Sequence, residues 1–340
     1  MESEIGYIRQ GAFGRIVLNR PAALNALTTS MVHQLHTTLD AWETEPGRAL
    51  ILESSSPKAF CAGGDIRQIR QNTLDGVHEE SERFFSSEYR LNARLATLST
   101  PVVSLIDGIC MGGGLGLSVH GTFRVVSDAA LLSMPETAIG FFPDVGASYF
   151  LSRLPGALGI FLGLTGYRMN AADAIYTGLA THYVSDVNDV LHVLSEAPQR
   201  SIDEILRALG PDTDGTLGQP QLAEHRQAID WCFGAPTLSE ISSRLAADDS
   251  PWAQETLNTL AKASPQSLEV TFAAISAGRQ QSLERCLEME LRIALHLVQT
   301  PDFIEGVRAG LVDKDRAPNW DKMELMEFDV LAAGVWDRSV

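Results

Sequence analysis

Cysteine is scarce in this chain. Cys61, Cys110, Cys232 and Cys286 are scattered through 340 residues with no CxxC pair, which excludes a disulfide scaffold and carries no zinc signature. Reduced thiols serving as small apolar residues are expected. The eight histidines form no HxxxH with a glutamate, so no metal site is expected. Positive charge is also short: 26 Lys and Arg against 43 Asp and Glu leave a formal net charge of −17. That field repels phosphate and excludes general binding to nucleic acid or an anionic membrane. Any anionic ligand must be met by local cations or backbone N–H groups. No apolar run approaches the roughly 20 residues of a spanning helix, and the acidic opening Met1-Glu-Ser-Glu4 is not a secretory n-region. A cytoplasmic location is the expectation. GK[ST], GxGxxG and GxSxG are all missing, which argues against P-loop, dinucleotide and serine-hydrolase chemistry.

What is present is a 45% apolar chain able to bury a large core. Residues 4–19 alternate as a hairpin with its turn at Gly11. Thr28-Thr29-Ser30 offers cap chemistry to a helix whose Met31, Leu35, Leu39 and Trp42 share a face. Strands are expected at Ala49–Leu52, Pro101–Ile106, Arg124–Val126 and Leu131–Met134, with helices over His78–Leu98 and Gly112–His120. Strands alternating with helices give an α/β class. Later segments, among them Ile202–Leu209, Leu222–Phe233, Pro265–Ser276 and Leu283–Val298, are helical in spacing. Gly210–Gly215 and Asp248–Pro251 read as breaks. The division expected is an α/β core over 1–185 and a helical region over 186–340.

Three segments carry chemical promise. Ala59-Phe-Cys-Ala-Gly-Gly-Asp-Ile-Arg67 and Gly108-Ile-Cys-Met-Gly-Gly-Gly-Leu-Gly116 each join a strand to a helix through glycines, so free N–H groups can approach a ligand closely there. Tight turns without a ligand would look the same. Met134-Pro-Glu136 and Phe142-Pro-Asp144 set two acids in apolar company. Desolvation is expected to raise the pKa of Glu136. Asp144, following Pro143, is expected in the first turn of a helix, where its ionised form is favoured. Two acids with separated pKa values suit acid–base or nucleophilic work. Glu88 sits mid-helix, where pairing with Arg90 or with solvent is the plain reading.

Leu18-Asn-Arg-Pro21, Leu24-Asn-Ala-Leu27, Phe60–Ile66, Gly112–His120 and Met134–Gly146, in that order, resemble the crotonase (enoyl-CoA hydratase/isomerase) superfamily. Within it the chain is most similar to the 3-hydroxyisobutyryl-CoA hydrolase branch, whose tail is matched by Phe303–Ala309 and Leu311–Asp315. The resemblance implies repeated ββα units with a helical C-terminal region, and an acyl-CoA thioester as substrate, with no separate cofactor. By the same resemblance, the N–H groups of Gly64 and Gly113 form an oxyanion hole and Glu136 is the catalytic carboxylate. Asp144 holds a 3-hydroxyl and assists proton transfer, Glu88 lines the pocket and Arg67 meets the nucleotide end of CoA. Gly116 stands where hydratases of the superfamily carry their first glutamate, which turns the expectation from hydration to thioester hydrolysis, as in valine catabolism. An isomerase, an atypical hydratase or a non-catalytic acyl-CoA-binding scaffold remain alternatives, and a homo-oligomer is compatible.

Overall fold

The computed structural model describes residues 3–210 and 217–321. By packing, the chain divides into two compact units, one of Met1–Gly64, Arg90–Ser133 and Arg168–Glu224, the other of Asp65–Tyr89, Met134–Tyr167 and His225–Val340.

The first unit holds every described strand. These are β1 (Ile5–Gln10), β2 (Phe13–Leu18), β3 (Ala49–Ser54), β4 (Ala59–Cys61), β5 (Val102–Ile106), β6 (Ile109–Met111), β7 (Phe123–Val126), β8 (Leu131–Ser133) and β9 (His182–Tyr183). One sheet has the order β1-β2-β3-β5-β7-β9 and a smaller one the order β4-β6-β8. Among the described strand pairs, only the β1–β2 hairpin is antiparallel, turning at Gly11 with φ +58°; the other strand pairs are parallel. The strand pairs alternate with helices or short helical turns along the chain, the ββα rhythm that the resemblance implies.

Sequence explains the central strand. The first four residues of β3, Ala49-Leu-Ile-Leu52, are buried without alternation, as a parallel strand covered on both faces must be. Ile51, Val103, Leu105 and Val125 meet Val190, Leu194, Ile205 and Leu206, from the helices Asn188–Glu196 and Ile202–Leu209, in one apolar cluster. The helix Thr29–Thr44 is capped by Thr28, whose hydroxyl accepts from the Met31 N–H at 3.1 Å. It buries Met31, Leu35, Leu39 and Trp42 as the spacing requires.

The second unit is helical. The helices Ile66–Leu74, Leu158–Thr165, Pro251–Lys262, Pro265–Gly278, Leu283–Leu297 and Pro301–Val307 belong to it. Serine or threonine caps four of them, at Ser250, Ser264, Ser282 and Thr300. Beyond β9 the described residues are all helix or loop. Of the expected break at Gly210–Gly215, residues 211–215 lie outside the described residues.

Candidate active site

The glycine turns belong to the strand-rich unit. Gly63 (φ +106°) and Gly112 (φ +49°) both take left-handed backbone, which side chains rarely tolerate. A Cβ placed on Gly63 would lie 3.2 Å from the Met111 carbonyl oxygen and 3.6 Å from the Gly113 nitrogen, so the two turns are side by side. They are held there by β4 and β6, in whose parallel register Cys61 faces Cys110. The Gly63 carbonyl accepts from the Leu27 N–H at 2.8 Å, and Gly64 forms an isolated bridge with Leu27. Gly113 is the first residue of the helix Gly113–Val119, so its N–H is among the donors that no helical carbonyl can reach. Donors built this way stabilise a developing oxyanion without titrating.

The acids belong to the helical unit. Glu88, Glu136, Asp144 and Glu290 are buried, at 2%, 8%, 5% and 0% exposure. Glu88 lies on the buried face of the helix His78–Thr97 with Phe84, Phe85 and Tyr89. Glu136 opens the short 3-10 turn Glu136–Ile139 directly after Pro135. Aromatic rings keep water away: Phe141 stacks on Phe85 at 5.7 Å and touches Phe142 and Phe303 at 5.0 and 5.7 Å. The Tyr89 hydroxyl donates to Asp144 Oδ2 at 2.6 Å.

Burial dominates the electrostatics. It raises the pKa of Glu136 well above the carboxylate range, and the charges of Asp144 and then Glu88 add to the effect. Glu88 is raised by burial and by Asp144. Asp144 is raised by burial, although the Tyr89 hydroxyl pulls the other way. Tyr89 is itself raised, mainly by burial, and so remains a proton donor. Among the described residues, Glu136 Oε2 and Glu88 Oε1 are buried without a hydrogen-bond partner. Orphaned acceptors in a buried acid cluster mark a place for ligand chemistry rather than for stability.

Two readings of the sequence need correction. Asp144 is not in the first turn of a helix: the next helix, Ala147–Phe150, begins three residues later and is only four residues long. Its small dipole does not offset burial, so Asp144 moves up with Glu136 instead of down. Glu88 is neither solvated nor paired with Arg90; it lies in the acid cluster. Arg67 sits exposed on the helix Ile66–Leu74. Sequence reasoning missed Glu290 and Tyr89. Both were visible as polar residues at apolar positions: Glu290 lies on the buried stripe of Cys286, Ile293, Ala294 and Leu297, and Tyr89 four residues after Phe85. Among the described residues no cluster of His, Cys, Asp and Glu is arranged to hold a metal ion, and no helix is long and apolar enough to cross a membrane.

Residues 13–333 match the family model described as enoyl-CoA hydratase/isomerase. The chain is 42% identical to the mitochondrial 3-hydroxyisobutyryl-CoA hydrolase of Rattus norvegicus, over 96% of this chain and 86% of the relative. It is 42% identical to that of Homo sapiens, over 94% and 84%. Among solved structures, a carnitinyl-CoA dehydratase from Mycobacterium thermoresistibile superposes with a TM-score of 0.88 at 38% identity, covering 97% of this chain and 96% of that one. An enoyl-CoA hydratase from Rhodobacter sphaeroides 2.4.1 gives 0.88 at 37%, covering 97% of each. The relatives named mitochondrial overturn the cytoplasmic location expected above; charge and composition do not identify a compartment. The mixed strand and helix architecture, the family match over most of the chain and the identity to these relatives agree: this chain belongs to the enoyl-CoA hydratase/isomerase (crotonase) family.

Proposed function

We propose that this chain hydrolyses 3-hydroxyisobutyryl-CoA, a short branched 3-hydroxyacyl thioester, to the free acid and CoA. The observation that carries the reading is Glu136, buried beside Asp144 with Oε2 unpartnered. Position 116 is glycine, so the second acid expected of a two-glutamate hydratase is missing from its usual place. The relatives named as hydrolases point the same way.

In this reading the Gly64 and Gly113 N–H groups take the charge that develops on the thioester oxygen. The ionised form of Glu136, a minor species near neutrality because burial raises its pKa but a correspondingly strong base and nucleophile, attacks the carbonyl carbon; the C–S bond breaks, and an acyl–glutamyl anhydride forms as CoA leaves. Asp144 carries a proton near neutrality because burial raises its pKa, and it delivers that proton to the departing sulfur. Water then splits the anhydride, its proton returns to Asp144, and Glu136 is regenerated. Direct attack by water with Glu136 as base gives the same products through the same residue. Asp144 also holds the substrate 3-hydroxyl, and Glu88 lines that end of the site.

Incubation with 3-hydroxyisobutyryl-CoA and a thiol reagent tests the reaction. Free CoA is expected; its absence, with an enoyl-CoA product instead, would favour the dehydratase or hydratase chemistry for which the two solved structures are named. Calorimetric binding without any turnover would leave an acyl-CoA-binding scaffold. The Asp144→Asn variant is expected to lose its preference for the 3-hydroxy substrate over isobutyryl-CoA while its rate falls.

A further inference from the structure

We propose that Glu290 is a positioning residue, which holds Asp144 in place by clamping the turn that carries it. The inference rests on the reading above, in which Asp144 meets the substrate 3-hydroxyl.

The turn Asp144-Val145-Gly146 is unusual. Val145 has φ +54°, and a β-branched residue in left-handed backbone is strained and persists only where its surroundings over-determine it. Glu290 does this. Its Oε2 accepts from the Gly146 N–H at 2.6 Å. Its Oε1 accepts from the Ser148 N–H at 2.9 Å and from the Ser148 hydroxyl at 2.5 Å. Both carboxylate oxygens are therefore occupied by the segment immediately following Asp144. Gly278, at the end of the helix Pro265–Gly278, closes on the same segment; a Cβ there would collide with the Ser148 backbone.

On its other side Asp144 is fixed by the Tyr89 hydroxyl. The acid is thus gripped through its side chain by Tyr89, while Glu290 holds the backbone of Gly146 and Ser148 just after it. Glu290 has no accessible surface, so it acts through the turn and not on the substrate. An amide at this position would place an N–H opposite an N–H, and the clamp would lose one of its two arms.

The test is the Glu290→Gln variant, assayed as folded protein with 3-hydroxyisobutyryl-CoA and with isobutyryl-CoA, which lacks the hydroxyl. Displacement of Asp144 is expected to lower kcat/KM for the hydroxylated substrate by roughly 100-fold and to cut the ratio of the two by about tenfold. Glycine adopts left-handed backbone without strain, so adding Val145→Gly to Glu290→Gln is expected to restore much of that ratio. Equal losses on both substrates, or no recovery in the double variant, would overturn the proposal. If Glu290→Gln does not fold, Ser148→Ala, which removes one donor to the same carboxylate, must shift the ratio in the same direction; an unchanged ratio overturns the proposal equally. A wild-type enzyme that releases no CoA from either thioester would sink the functional reading and this inference together. Normal wild-type release with unmoved selectivity in the variants would sink this inference alone.

Discussion

The two glycine turns and the acid cluster solve different physical problems. The turns, in the strand-rich unit, offer N–H dipoles fixed by backbone geometry; strain at Gly63 and Gly112 is small because neither has a side chain. They neither titrate nor depend on any one functional group. The acids, in the helical unit, are four ionisable groups removed from water, and their proton affinities are set by that removal. The first arrangement is robust to chemistry and sensitive to packing. The second is sensitive to both, and its raised pKa values record the desolvation.

Removing one acid group should produce the largest effect and should not unfold the protein. Glu136→Gln keeps the shape and eliminates the titrating group, so turnover is expected to fall by about 1,000-fold or more. Acyl-CoA binding and thermal stability should persist, since the amide keeps the size and shape of the carboxyl group. Full activity in the variant would end the proposed role of Glu136. The turns should respond in the opposite sense. A methyl group on Gly114 would collide with the Cys61 carbonyl, and overpacking of this kind costs about 1–3 kcal/mol. Gly114→Ala should therefore destabilise the fold, and the surviving folded enzyme should lose roughly 100-fold in kcat as the donors shift. A stable and fully active Gly114→Ala would mean the turns tolerate movement.

Legibility differs in the same way. The turns could be read from sequence as turns because glycine clusters between a strand and a helix mark tight backbone, which by itself does not tell a ligand-facing turn from an empty one; the three-residue strands β4 and β6 that align them were too short to recognise by alternation. Glu136 was legible through its apolar neighbours. Asp144 was placed correctly in the chain but given the wrong environment, since Pro143 suggests a helix start and the chain instead turns through Val145. Glu88, Tyr89 and Glu290 were obscured by a general rule that acids and hydroxyls face water. A carboxylate at the i+4 position of an apolar stripe was the available signal, and it was present in two helices.

The pH dependence of stability should separate the two regions next. Glu290 is pushed up to about 8 by burial, and Glu88, Glu136 and Asp144 are also raised. In the unfolded chain such groups ionise near about 4. Above that value the unfolded state holds fewer protons than the native one, so stability falls as pH rises and levels off only above the folded pKa values. Urea midpoints are thus expected to decline from pH 5 towards pH 9, less steeply in Glu136→Gln, and with the wild-type slope in Gly114→Ala. Parallel curves in all three proteins would show that the acids do not titrate as burial requires.

Arg67 carries the smallest expected effect, and it is the sharpest check on the charge argument. It lies in the first turn of the helix Ile66–Leu74, where a cation opposes the helix dipole. Its removal should therefore leave stability unchanged or raise it by a few tenths of a kcal/mol. In a chain with net charge −17, an exposed guanidinium can offset local repulsion of the CoA phosphates, but water and salt screen it strongly. Arg67→Ala is expected to raise KM for the acyl-CoA about two- to fivefold at low ionic strength, leaving kcat unchanged, and the difference should vanish near 0.5 M salt. An equal KM in both proteins at low salt would remove Arg67 from the binding site, and the nucleotide would then have to be met by backbone donors or by another cation.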